Sequence, residues 1–192
     1  MTRLSSKGMR TAALVTVIGI GLGATACGSG GASAPASARP SVPASTPSRA
    51  TTSPAEAAAQ NATTAYLAMW DDVAAVAATS DWQSSRLADH TTGDALSVLS
   101  RQMYADHANR LITKGHPVGV PVVQSVDSQS APKTVMIRDC SDASGWLKYR
   151  TDTGKPADSE PGGKHLINAE VKLGIDGSWR VTRFAVAGTG SC

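Results

Sequence analysis

The hydrophobic rhythm of this chain changes once, at Pro117, and that change decides its fold class. Before it, apolar residues recur with the period of a helix. After it they alternate as in strands. Ser53-Pro54-Ala55-Glu56 opens the helical half with an N-cap serine, a proline at the first helical position and a glutamate three residues on. The stripe that follows is Ala58, Ala62, Ala65, Tyr66, Met69, Val73, Val76 and Ala77, with Trp70 at its edge. A second, shorter helix is predicted to start at Ser80-Asp81-Trp82-Gln83 and to end near Asp89. A third starts at Thr92-Gly93-Asp94, carries Leu96, Leu99, Met103, His107 and Leu111 on one face, and closes at Lys114-Gly115.

Strands follow over residues 118–126, 133–140, 146–151, 164–173 and 178–187. Pro121 cannot donate to a ladder, so the first is an edge strand or a bulged one. In the fourth, Ile167, Ala169, Val171 and Leu173 share one face while Asn168, Glu170 and Lys172 take the other. Asp176-Gly177 turns the chain into the last strand. Helices first and an antiparallel meander second make an α+β domain over residues 54–192, with no internal repeat.

The N-terminal quarter has a different grammar. Arg3, Lys7 and Arg10 precede a short apolar run over residues 11–22, too short to span a bilayer, and Ala24-Thr25-Ala26-Cys27 follows. This resembles a bacterial lipoprotein signal, with residues 1–26 removed and Cys27 lipidated. Two or more acyl chains would hold the chain stably at the outer face of the cell membrane. Residues 27–53 are almost wholly Gly, Ala, Ser, Thr and Pro, a tether without the apolar surface to fold. The formal net charge of +3 comes from the three bases of the signal; the remainder balances, leaving no basic field for nucleic acid.

Chemical motifs are sparse. No Gly-x-Ser-x-Gly, phosphate loop, dinucleotide fingerprint, Cys-x-x-Cys or metal-spaced histidine pair occurs, so no catalytic residue, metal or cofactor is assigned. Asp71 and Asp72 diverge by about 100° on a helix, and Asp89-His90 is a neighbouring pair rather than an evident dyad. His90 and His116 lie beside turn signals and read as solvated. His107 falls in a helical apolar stripe, and His165 continues the inward face of Ile167. Seven of the eight aromatics, Tyr66, Trp70, Trp82, Tyr104, Trp146, Tyr149 and Trp179, either fill the core or line a cleft between helix and sheet. If the domain is hollow, Tyr66, Trp70, His107 and His165 are the expected lining. With Cys27 assigned to lipid, Cys140 and Cys192 are left as a disulfide pair in an oxidising compartment.

A long first helix, a short one near Asp81-Trp82, a third helix and a sheet ending in Asp176-Gly177-Ser178-Trp179-Arg180-Val181 together resemble the NTF2-like (cystatin-like, SnoaL-like) α+β cone. The whole chain resembles secreted lipoproteins of high-GC Gram-positive bacteria that carry such a domain. The resemblance implies three N-terminal helices on a curved antiparallel sheet, with a pocket at the open end. Relatives include isomerases, cyclases, dehydratases, hydrolases and plain binding proteins, and none of their catalytic pairs can be placed here. The expected function is a membrane-anchored, non-catalytic module of the cell envelope that binds a small ligand or an envelope protein. The alternatives are an isomerase- or hydrolase-type enzyme using acid–base residues of the pocket, and a structural accessory domain of an envelope complex.

Overall fold

A computed structural model describes residues 52–158 and 162–192. Helix α1 spans Pro54–Ala77, and its start is the capping box read from the sequence. The Ser53 hydroxyl accepts from the Glu56 N–H at 3.2 Å, and the Glu56 carboxylate accepts from the Ser53 N–H at 3.2 Å. The whole predicted stripe is buried, with Trp70 and Asp72 added to it. Tyr66 and Met69 are fully enclosed, and burying a side chain of the size of Met69 contributes about 1.5–3 kcal/mol.

The second expected helix is a single 3-10 turn, Ser85–Ala88, so the described residues hold two α-helices where three were expected. Ser80 does not cap it. Ser80 takes a left-handed backbone at φ 52°, and its hydroxyl donates to the Leu111 carbonyl; Ser84 is the N-cap instead. Helix α2, Gly93–Ala108, also stops earlier than its stripe predicts. The Asn109 side chain bonds back to the Ala105 carbonyl at 2.8 Å, and Arg110 turns the chain out at φ 56°. Leu111 then opens strand β1, Leu111–Lys114, which pairs antiparallel with β4, Leu147–Arg150. The β-branched Ile112-Thr113 pair suits a ladder better than a last helical turn. Gly115 ends a strand, not a helix: at φ 83° a side chain there would place its Cβ 2.0 Å from the Gly145 carbonyl oxygen.

The main sheet is antiparallel in the order β2-β3-β5-β6: Val122–Val126, Thr134–Asp142, Lys164–Leu173 and Trp179–Val186. As Pro121 requires, β2 starts after it, lies at the edge, and carries a register shift between Val123 and Ser125. Helix α1 touches all four strands. Val135 and Ile137 of β3, Ile167, Ala169 and Val171 of β5, and Val181 of β6 close the core beneath it.

The chain end is fastened to the same sheet. Gly190 N–H donates to the Lys164 carbonyl at 2.8 Å, and Leu166 N–H donates to the Ser191 hydroxyl at 2.8 Å. This run brings Cys192 to Cys140, which faces Leu166 across β3–β5. The two form the disulfide, with Cα atoms 5.9 Å apart. Closing 52 residues of sequence separation restricts the unfolded chain by about 4 kcal/mol at most in the loop-entropy account.

Glu170 departs from simple alternation. It has the outward parity of Asn168 yet is buried, at a register shift between β5 and β6. Thr182 Oγ1 donates to its carboxylate at 2.6 Å, Arg183 at 2.9 Å, and Lys172 Nζ lies 3.0 Å away. The Thr182 bond, then Lys172 and Arg183, hold its pKa below the usual glutamate value against the opposing effect of burial. A carboxylate depressed on folding adds stability above its unfolded pKa, about 4.3, and that share disappears as pH falls through the lower folded value. Thermal unfolding from about pH 6 to about pH 3 should therefore fall more steeply for the wild type than for Glu170→Gln. Parallel profiles would show that Glu170 carries no such linkage.

Candidate functional site

Helix α1 and the sheet leave a strongly apolar hollow between them, a cavity of about 160 Å³. Trp70 enters it from α1. Ser141 comes from the end of β3, Trp146 from the turn before β4, His165 and Ile167 from β5, and Val186 from the end of β6. Trp70 is the hub of an aromatic cluster. Its ring meets Trp146 edge-on at 6.0 Å, Phe184 at 5.7 Å and Tyr66 at 6.4 Å.

The polar content of this cavity is small and specific. The indole Nε1 atoms of Trp70 and Trp146 are both buried without a hydrogen-bond partner, the only such side-chain nitrogens or oxygens among the described residues. An unmet buried donor costs about 1–3 kcal/mol; Trp146 Nε1 carries that cost, while Trp70 Nε1 has the Tyr66 hydroxyl as a neighbour. His165 is half-buried. Its Nδ1 lies 3.0 Å from the Ala187 carbonyl, which makes that nitrogen the donor and leaves Nε2 as an acceptor in the neutral ring. Among the described residues, no aspartate, glutamate, lysine or arginine lines the cavity.

Of the four residues expected to share a pocket, Trp70 and His165 do so. Tyr66 lies beneath it, fully buried, its hydroxyl donating to Asp139 at 2.9 Å. Asp139 also accepts from the Val120 N–H at 2.6 Å. Burial pushes the Tyr66 phenol well above its ordinary pKa; the neighbouring Trp70 indole opposes this and the Asp139 charge adds to it. The phenol is therefore a permanent donor. His107 is elsewhere. It is exposed in the last turn of α2, beside Ser80, Arg110 and Thr151 around a different hollow. The stripe that placed it inward fails because α2 ends one residue later and the chain turns away.

Four buried acids escaped the sequence reading: Asp72, Asp139, Glu170 and Asp106, the last paired with Lys148 at 2.6 Å. Asp139 follows Val135 and Ile137 in strand parity, which was the available signal. Asp72 falls in helical phase with Ala65, Met69 and Val76, which was its signal, while its partners lie after it in the chain. Arg86 Nε donates to Asp72 Oδ1 at 2.8 Å, and His90 Nδ1 lies 2.6 Å from Oδ2. His90 is thus held by a buried carboxylate rather than simply solvated, and its partner is Asp72, not the adjacent Asp89. Among the described residues, no cluster of three or more His, Cys, Asp or Glu could hold a metal ion.

No protein-family model matches the sequence, and no curated protein matches it. Solved structures do. The intermembrane-space region of the chloroplast protein ARC6 is similar with a TM-score of 0.50 at 11% identity, over 68% of this chain and 97% of that one. A ketosteroid isomerase-like protein from Erwinia carotovora atroseptica is similar at a TM-score of 0.40 and 11% identity, over 70% and 97%. A protein of unknown function with a cystatin-like fold from Nostoc punctiforme gives 0.40 and 8%, over 67% and 92%. At such identities a likeness concerns the fold alone, and only the first of these is close enough to carry it: a helix-covered antiparallel α+β domain.

Proposed function

We propose that this chain is an exported, lipid-anchored protein of the cell envelope whose NTF2-like cone binds a small ligand without catalysing its conversion. The observation that carries the binding reading is the apolar cavity lined by Trp70 and Trp146, two tryptophans whose indole nitrogens are buried without a well-formed hydrogen bond. The ligand it fits is compact and mostly apolar, with a hydrogen-bond acceptor for those donors. Among the described residues His165 is the one acid–base side chain of its wall, without a carboxylate partner there, which favours binding over chemistry. An enzyme built on His107 and His165 together would need them in one site, and they line different hollows.

The anchor rests on the sequence around Cys27, which lies outside the described residues. No described helix is long and apolar enough to cross a membrane. Mass spectrometry of the exported protein should find Cys27 as the first residue, carrying a diacylglyceryl group. An unmodified N-terminus at another residue would refute the anchor.

Acetophenone and isopropylbenzene, equal in size and differing in the carbonyl acceptor, test the cavity. Acetophenone should shift the indole N–H resonances of Trp70 and Trp146 saturably and bind about fivefold or more tightly than the hydrocarbon, a difference of one hydrogen bond. Binding of neither compound would point to a structural accessory domain instead. Equal binding of both would remove the role given to the indoles.

A further inference from the structure

A second hollow, sharing no residue with the apolar cavity, lies where α1, the segment after the 3-10 turn and the β5–β6 hairpin meet. It is an open cleft of about 360 Å³. Asn61 and Thr64 reach it from α1, Asp89 and His90 from the connecting segment, and Ser178 and Trp179 from the hairpin. Its wall mixes polar and apolar surface about equally, where the other is almost wholly apolar. Trp179 is half-buried and supplies one aromatic surface.

The polar groups are of both hydrogen-bonding kinds, and several are uncommitted. Among the described residues the side chains of Asn61 and Asp89 make no hydrogen bond or ion pair. Thr64 donates its hydroxyl proton to the Gln60 carbonyl at 3.0 Å, which leaves its oxygen able to accept. His90 is the most constrained member. Its Nδ1 is fixed 2.6 Å from Asp72, and Asp72 is buried and held in turn by Arg86. That arrangement orients the ring and leaves Nε2 without a protein partner, an acceptor in the neutral ring and a donor in the protonated one.

We infer that this cleft is a binding site for a neutral polyhydroxylated ligand, a saccharide. Hydroxyl groups both donate and accept, so they can give to the Asp89 carboxylate, take from the Asn61 amide, and meet His90 Nε2 in either protonation state. An anionic ligand would meet Asp89 unpaired, and the guanidinium that could answer it is already engaged with Asp72. The apolar C–H face of a sugar ring matches the Trp179 surface. His90 is a preorganised contact: the Asp72–Arg86 pair sets its ring before any ligand arrives.

Maltotriose and chitotriose, titrated into the purified full chain, test this by nitrogen–proton correlation spectra. At least one should shift the Trp179 indole and Asn61 amide signals saturably, with a Kd of about 1 mM or tighter. Asn61→Ala and Asp89→Ala replace exposed side chains that hold nothing in the fold, so both variants should remain folded. Each should weaken binding about fivefold or more, the loss expected for a hydrogen bond or two. His90→Phe, which keeps a ring and removes both nitrogens, should weaken it further. Absence of saturable shifts with both trisaccharides, or binding that survives the Asn61→Ala and Asp89→Ala double variant, would overturn the assignment.

Discussion

A single buried carboxylate fixes how the helix sits on the sheet. Asp139 of β3 is almost wholly enclosed, and such a group persists only if hydrogen bonds replace its water. It has two. One comes from the Tyr66 phenol of α1, the other from the Val120 N–H in the segment before β2. Three parts of the chain that are distant in sequence thus converge on two oxygens. The geometry leaves no slack at Gly119, where a Cβ would stand 2.5 Å from the Asp139 Oδ2. One helical turn beyond Tyr66, Trp70 lies over the sheet at the apolar cavity. The position of that cavity is therefore tied to the seating of Tyr66.

The chain end stabilises the opposite wall. His165 meets the Ala187 carbonyl, Leu166 bonds the Ser191 hydroxyl, and the disulfide joins Cys192 to Cys140, next to Ser141 of the cavity lining. A tail that would otherwise fray is held by covalent and backbone bonds together. The polar cleft is fastened differently, by Asp72, Arg86 and His90 pinning the 3-10 segment to α1. The same domain thus presents a mostly apolar hollow and a more polar cleft with donors and acceptors mixed. The two suit different ligand chemistries.

The sequence was most legible where structure is local. The capping box at Ser53, the stripe of α1, the edge position forced by Pro121 and the alternation of β5 are all set by residues within a few positions of one another. It misled where two local signals competed. Leu111 continues the helical spacing of α2, yet Ile112 and Thr113 favour a strand, and the left-handed turn at Arg110 resolves the conflict toward β1. It was silent where burial depends on distant partners. Asp139 is met by Tyr66, 73 residues away, and Glu170 by Thr182 and Arg183 on the next strand. The candidate sites shared this limit: Trp70 and His165 are joined by the fold, His107 is carried off by the end of its helix, and the Asp72–His90 contact spans 18 residues.

The dependence of this architecture on the Tyr66–Asp139 contact can be measured directly by a double-mutant cycle with Tyr66→Phe, Asp139→Asn and the pair, followed by denaturant unfolding. If the carboxylate seats the helix as described, the two changes interact, with a coupling energy of about 1 kcal/mol or more, in the range found for contacting buried groups. Effects that add to within about 0.3 kcal/mol, as for independent sites, would contradict it.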